Sequence, residues 1–82
     1  MDIKMLPEYN ENYQYTIGVD MVNTPNDTMA FAVMRKDRDG NLEVVTSDRV
    51  KLGDTMIERK NKFMNLMNTL KDHFKTDKIL GV

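Results

Sequence analysis

The residue types with the most reactive side chains are scarce in this sequence, which has one histidine, one serine and no cysteine. Without cysteine, disulfides, thiol nucleophiles and thiolate metal ligands are excluded, and one histidine cannot form a multi-histidine metal site. His73 stands near the end of a predicted helix beside Phe74, where we expect it to pack or to cap the helix. Ser47 has no nucleophile-elbow motif around it. Nucleophilic catalysis is therefore not expected.

The acidic segment around residues 37–41 resembles part of a calcium-binding loop. If Gly40 is aligned with the loop glycine, Arg35 takes the first ligand position and Thr46 takes the position of the bidentate glutamate. Both positions need an acidic side chain. We therefore predict a hairpin turn here, because Asp39-Gly40 tolerates the positive φ of such loops.

Basic residues are concentrated in the second part of the chain. Residues 1–50 carry a net charge of −4 and residues 51–82 a net charge of +3, within an overall charge of −1. The possible phosphate contacts are Lys51, Arg59, Lys60 and Lys62. No aromatic residue is interleaved with them, which favours a solvated helix face over a phosphate-binding patch. The acidic first part is the candidate to mimic a nucleic acid or to meet a basic protein surface.

The length of 82 residues corresponds to one small domain, which we divide into an irregular, loosely attached lead-in (residues 1–12) and a single α+β domain (residues 13–82). Apolar residues alternate over residues 13–21, which predicts a strand with one buried face. Turn residues follow at 23–27. Residues 28–36 are apolar on both faces, which predicts a central strand, with a short helix as the alternative. Residues 42–50 predict an edge strand, with Leu42, Val44 and Thr46 on one side and Glu43, Ser47 and Arg49 on the other.

A helix is predicted over residues 55–75. Thr55 and Glu58 form a capping box, and one apolar stripe contains Phe63, Leu66, Met67, Leu70 and Phe74. Residues 78–82 predict a short final strand. The order of elements is therefore strand, strand, strand, helix, strand.

The segment Ile17-Gly18-Val19-Asp20 ends the first predicted strand. A polar loop, Asp27-Thr28, a second strand, the Asp39-Gly40 turn and a third strand follow it. Over residues 13–82 this arrangement resembles the opening of ribonuclease H-like domains, and it is most similar in appearance to the nuclease domain of bacteriophage large terminase subunits. The resemblance implies a three-stranded antiparallel meander, one long helix and a fourth strand parallel to the first, in the order 3-2-1-4.

The resemblance also implies a metal site, because the chemistry of that family uses several carboxylates around paired divalent cations. Asp20 matches the first of these acids. The others would come at or after the fourth strand and from a later helix, and residues 79–82 contain no acid. We expect either a truncated or decayed version of that fold or a chain that shares only its topology. In neither case do we expect nuclease activity or a cofactor.

Two functions follow as hypotheses. In the first, this is a small non-catalytic accessory protein of the phage type, located in the (host) cytoplasm, which binds a protein partner or its own copies. One helix cannot cover both faces of the sheet, so the contact residues would include Val22, Ala30, Ala32 and Met34 on the second face. In the second, the chain is a fragment or half-site of a Mg²⁺-dependent terminase-type nuclease that acts on DNA. No stretch is apolar enough to predict a membrane partner.

Overall fold

The computed structural model describes residues 6–20 and 28–81 as an α+β fold. Its elements are β1 (Gln14–Asp20), β2 (Thr28–Lys36), β3 (Leu42–Lys51), α1 (Met56–Phe74) and β4 (Ile79–Gly81). The four strands form one mixed sheet in the order β3-β2-β1-β4. Strands β1 to β3 pair antiparallel and β4 pairs parallel to β1. The predicted fold and strand order are confirmed. The predicted turn at residues 23–27 lies outside the described residues.

The core lies between α1 and one face of the sheet. Alternate residues of β1 and β2 are buried, in agreement with the two-residue period of a strand. The helix contributes Leu66, Met67, Leu70 and Phe74, each at most 4% exposed, to the same cluster. Phe63 packs against this cluster from one turn earlier. The predicted helical stripe is therefore confirmed, and it determines which sheet face the helix covers.

The ends of α1 show how local sequence limits the helix. The Thr55 hydroxyl accepts a hydrogen bond from the Glu58 amide at 3.1 Å, as an N-cap should. The Glu58 carboxylate accepts from the amide of Asp54 at 3.4 Å, one residue before the position that the capping box predicts. At the other end Lys75 adopts the left-handed conformation (φ 50°), and its amide donates to the carbonyl of Lys71. A lysine thus does what a glycine commonly does at a helix end.

Strand β3 differs from the prediction in the direction of its side chains. Val33 pairs with Thr46, but the next residue, Met34, pairs with Val44, so Val45 is an extra residue in β3. Such a bulge shifts the alternation by one residue. Leu42 and Val44 therefore do not share a side with Thr46, as the uninterrupted pattern predicts. They face away from the core, on the side of Ser47 and Arg49.

The described part of the lead-in is not loosely attached. Leu6 and Tyr9 pack against the core cluster, and the ring of Tyr9 lies 5.5 Å from that of Tyr15. The carbonyl of Pro7 accepts a hydrogen bond from Nε2 of His73 at 2.6 Å. Sequence reasoning missed this attachment because it joins residues 66 positions apart.

The turn between β2 and β3 is organised by Asp37. One of its carboxylate oxygens accepts hydrogen bonds from the amides of Asp39 and Asn41, both at 2.9 Å. Gly40 has a φ of 88°, as the predicted hairpin turn requires. Hydrogen bonds from Asn41 are the main cause that lowers the pKa of Asp37 below its usual value.

Candidate protein-binding face

The sheet face opposite α1, called the outer face below, is the candidate site. Paired residues on neighbouring strands share a face, so the strand register identifies its members. Its members are Gln14, Thr16, Gly18 and Asp20 of β1, Thr28, Ala30, Ala32, Met34 and Lys36 of β2, Leu42, Val44, Ser47, Arg49 and Lys51 of β3, and Leu80 of β4. Within residues 6–20 and 28–81, α1 is the only helix, and it lies on the opposite face.

One end of the outer face carries large apolar side chains that project into solvent. Leu42 is 69% and Val44 62% exposed, and they lie on the edge strand β3. Met34 pairs with Val44 and is half-buried, because its methyl group lies against Gly18. We call Leu42, Val44 and Met34 the ridge. Exposed aliphatic side chains side by side on a sheet are typical of a contact surface.

The other end of the outer face is concave. A shallow depression of about 420 Å³ lies over Gly18, Ala30 and Ala32, with Ser47 at its side. Ala30, Ala32 and Ser47 have small side chains, so the surface lies close to the backbone there, and the methyl group of Met34 lies beside Gly18. The ridge and this depression are neighbours on the same strands.

Charged side chains border the depression. Asp20 and Arg49 flank Ala30 from the two adjacent strands, as the register places them. The guanidinium of Arg49 donates to the hydroxyl of Thr28 at 3.4 Å. At the ridge end the charged member of the face is Lys36, which is exposed. The outer face therefore carries both signs of charge at one end and a cation at the other.

Three of the four predicted contact residues, Ala30, Ala32 and Met34, lie on the outer face and are half-buried. The fourth, Val22, lies outside the described residues. Sequence reasoning missed Leu42 and Val44 because it did not detect the bulge. It also missed Leu80, which is 53% exposed and pairs with Gly18. The predicted parallel pairing of the last strand with the first could have placed Leu80 on the outer face.

Asp20 ends β1 and is half-buried. Among the residues that the structure describes, no three His, Cys, Asp or Glu side chains come close enough to hold a metal ion. Asp20 therefore has no described set of acids with which to share one, and a two-metal site needs several.

Three of the basic residues predicted as phosphate contacts lie in the first half of α1, and Lys51 pairs with Thr28 on the outer face. Lys51 ends β3, Lys60 and Lys62 are exposed, and Arg59 is half-buried. Lys60 and Lys62 are two positions apart, which corresponds to about 200° of rotation around the helix axis. They therefore point to nearly opposite sides. The four residues therefore do not form one flat basic surface.

His73 and Ser47 have different surroundings. The ring of His73 packs edge-on against Phe74 at 4.7 Å. Because a carbonyl only accepts, the hydrogen bond to Pro7 requires a proton on Nε2. His73 thus has the packing role that its position predicts, and Ser47 is exposed on an edge strand.

A second exposed apolar region lies at the start of α1, where Met56 is 81%, Ile57 74% and Met64 49% exposed. Ile57 and Met64 are seven residues apart and share one side of the helix. Charged and polar residues separate them along the chain.

Comparison with known proteins finds no matching family model, no similar curated protein and no similar solved structure. The class of this protein is therefore defined by its geometry alone: a small α+β fold whose described residues leave one sheet face open. Within those residues, α1 is too polar to qualify as a membrane-spanning helix, and it is the only one.

Proposed function

We propose that this chain is a small non-catalytic accessory protein, of the kind that phages encode, which acts by binding a protein or its own copies through the outer face. The observation that carries the proposal is the ridge of exposed aliphatic side chains beside a concave, small-residue surface. Covering exposed aliphatic groups releases about 25 cal/mol for each Å² removed from water. A flat sheet face offers this gain without a change in the fold.

The open shape of the outer face supports a protein as the ligand. Three strands of about seven residues give a surface of roughly 14 by 23 Å, or about 300 Å² in projection. The depression is open and shallow, whereas small-molecule sites enclose most of their ligand. A surface of this shape fits another protein surface, and its extent corresponds to a weak, transient contact.

The test places a charge on the outer face and, as a matched control, on the exposed part of α1. Val44→Lys and Ile57→Lys both replace an aliphatic residue that is more than 60% exposed, at 62% and 74%. Both variants should therefore fold like the wild type. Self-association is measured by light scattering, and binding of other proteins by retention from lysate on immobilised protein.

We expect Val44→Lys to lose self-association or the binding of other proteins, and Ile57→Lys to keep both. The result that contradicts the proposal is a Val44→Lys variant that matches the wild type in both self-association and retained proteins. Thermal unfolding of each variant verifies that any loss is not caused by unfolding.

The second candidate is a fragment or half-site of a Mg²⁺-dependent, terminase-type nuclease acting on DNA. The observation that favours it is the topology, in which β4 runs parallel to β1 and Asp20 ends β1. In this case Mg²⁺ would bind at Asp20 with carboxylates from another chain, and the basic residues around the start of α1 would contact DNA phosphates. Mg²⁺-dependent DNA cleavage should then disappear in Asp20→Ala and persist in Asp39→Ala, an exposed acid of the hairpin turn. Cleavage that persists in Asp20→Ala would contradict this candidate.

A further inference from the structure

We infer that the outer face binds an acidic amphipathic helix of another protein, which lies along the strands and covers the side of the sheet opposite α1. The inference rests on the proposed function, since it requires the outer face to be a protein-binding surface. It adds the charge and the secondary structure of the partner.

The charges of the outer face select an acidic partner. Its cationic side chains are Lys36, Arg49 and Lys51, and its anionic side chain is Asp20. The face therefore has a net charge of +2 in a chain whose overall charge is −1. Complementary charge across an interface steers association and rejects partners of the same sign. A surface with an excess of carboxylates meets this condition.

The cations lie at the two ends of the face, with apolar and small residues between them. Lys36 ends β2, whereas Lys51 pairs with Thr28, the first residue of β2. At about 3.3 Å per residue, these two ends are about 26 Å apart. The side chains of Met34 and Val44 and the depression lie between them. The partner therefore needs aliphatic side chains in its middle and acidic side chains towards its ends.

The dimensions of the outer face match one helix. Three strands are about 14 Å wide, and a helix with its side chains is about 10 to 12 Å in diameter. A length of about 26 Å holds about 17 helical residues. Ala30, Ala32 and Ser47 allow such a helix to approach the backbone of the sheet. A helix on this face would complete the common arrangement in which helices cover both sides of a sheet.

Other modes of binding fit the described residues less well. A partner strand at the open edge of β3 would meet the bulge at Val45, and bulges protect edges from such pairing. At the opposite edge β4 has three residues. Single-stranded nucleic acid matches the cations, but it binds by stacking its bases on aromatic side chains. No member of the outer face is aromatic.

The test titrates the ¹⁵N-labelled chain with a designed peptide of about 17 residues. The peptide forms an amphipathic helix, with leucine along one side and glutamate near both ends. One control peptide has lysine in place of glutamate, and a second has a central proline, which breaks the helix. We expect the acidic peptide to bind with a dissociation constant of about 10 µM to 1 mM, at least about fivefold more tightly than either control. The amide shifts should change on the outer face.

Two double variants with the same change in net charge show whether the outer-face cations contribute. The first combines Lys36→Glu with Lys51→Glu on the outer face. The second combines Lys60→Glu with Lys62→Glu on α1, and all four lysines are exposed. At about 0.15 M salt, which screens distant charges, the first should bind the acidic peptide about tenfold more weakly and the second less than about twofold. Thermal unfolding verifies that both variants fold.

The outcomes separate this inference from the proposed function. Shifts centred on the start of α1, equal losses in the two double variants, or equal binding of the acidic and basic peptides would contradict an acidic partner on the outer face. Equal binding of the proline peptide would contradict a helix. Tighter binding of an oligothymidine than of the acidic peptide would overturn a protein partner.

An acidic peptide that does not bind would also overturn the inference. The proposed function would then still stand if Val44→Lys, but not Ile57→Lys, lost self-association or binding to another protein.

Discussion

Two glycines with positive φ show how single residues limit this fold. Gly53 precedes the helix with a φ of 112°, and a Cβ there would lie 2.7 Å from a carboxylate oxygen of Glu58 and 3.0 Å from its Cβ. Gly40, in the hairpin turn, has a φ of 88° but open space around it. Both need the left-handed region that favours glycine, and only Gly53 also needs the missing side chain.

Alanine at these two positions should therefore lower the free energy of unfolding by different amounts. We predict that Gly53→Ala lowers the free energy of unfolding by about 2 to 3 kcal/mol and Gly40→Ala by about 1 kcal/mol. Urea unfolding followed by circular dichroism measures both. Equal losses would mean that contact with Glu58 adds nothing to the backbone strain at Gly53.

Asp37 gives the fold a pH dependence. Its pKa is lowered in the folded chain, chiefly by hydrogen bonds from Asn41, so the carboxylate stabilises the fold above its unfolded pKa. That stability is lost as the pH falls through the lower, folded value. The difference in Tm between the wild type and Asp37→Ala should therefore shrink as the pH falls from about 5 to about 2.5. Asp39→Ala, in the same turn, serves as the control, and a pH-independent difference for Asp37→Ala would contradict this role.

At the scale of elements, the apolar patterns and the capping signals in the sequence predict each described strand and the helix. The sequence does not reveal the bulge, because Val44 and Val45 are both aliphatic and either one continues an apolar pattern. Which of the two valines faces the core depends on how β3 pairs with β2, and the pattern within one strand does not show that pairing. For that reason the sequence does not predict that Leu42 and Val44 lie on the outer face. The left-handed Lys75 and the contact between His73 and Pro7 likewise depend on tertiary structure.

The helix start offers a prediction at this scale. Thr55→Ala removes the hydroxyl that accepts from the Glu58 amide and should lower the free energy of unfolding by about 1 kcal/mol. Thr69 is the matched control, since its hydroxyl donates to the Asn65 carbonyl within the exposed helix. Thr69→Ala should be neutral or slightly stabilising, because alanine has the higher helix propensity. Equal effects in thermal unfolding would show that Thr55 does not act as an N-cap.

At the scale of the whole molecule, the described residues pack one helix against a four-stranded sheet. The buried residues of β1 and β2 and the second half of α1 form a single cluster on one face, and exposed aliphatic residues lie on the other. The described residues extend over 42 by 20 by 20 Å. A thin core of this kind leaves more apolar surface exposed to solvent than a sheet covered on both faces would. Association through the outer face would supply that layer.

Light scattering on a sizing column, across a hundredfold range of protein concentration and with or without the retained proteins, tests the central claim most directly. The account predicts a complex heavier than one chain, unchanged by Mg²⁺, and a Val44→Lys variant that stays at one chain. Ile57→Lys should behave as the wild type does. A wild type and a Val44→Lys variant with the same mass at every concentration, and the same retained proteins, would contradict the claim that the outer face is a binding surface.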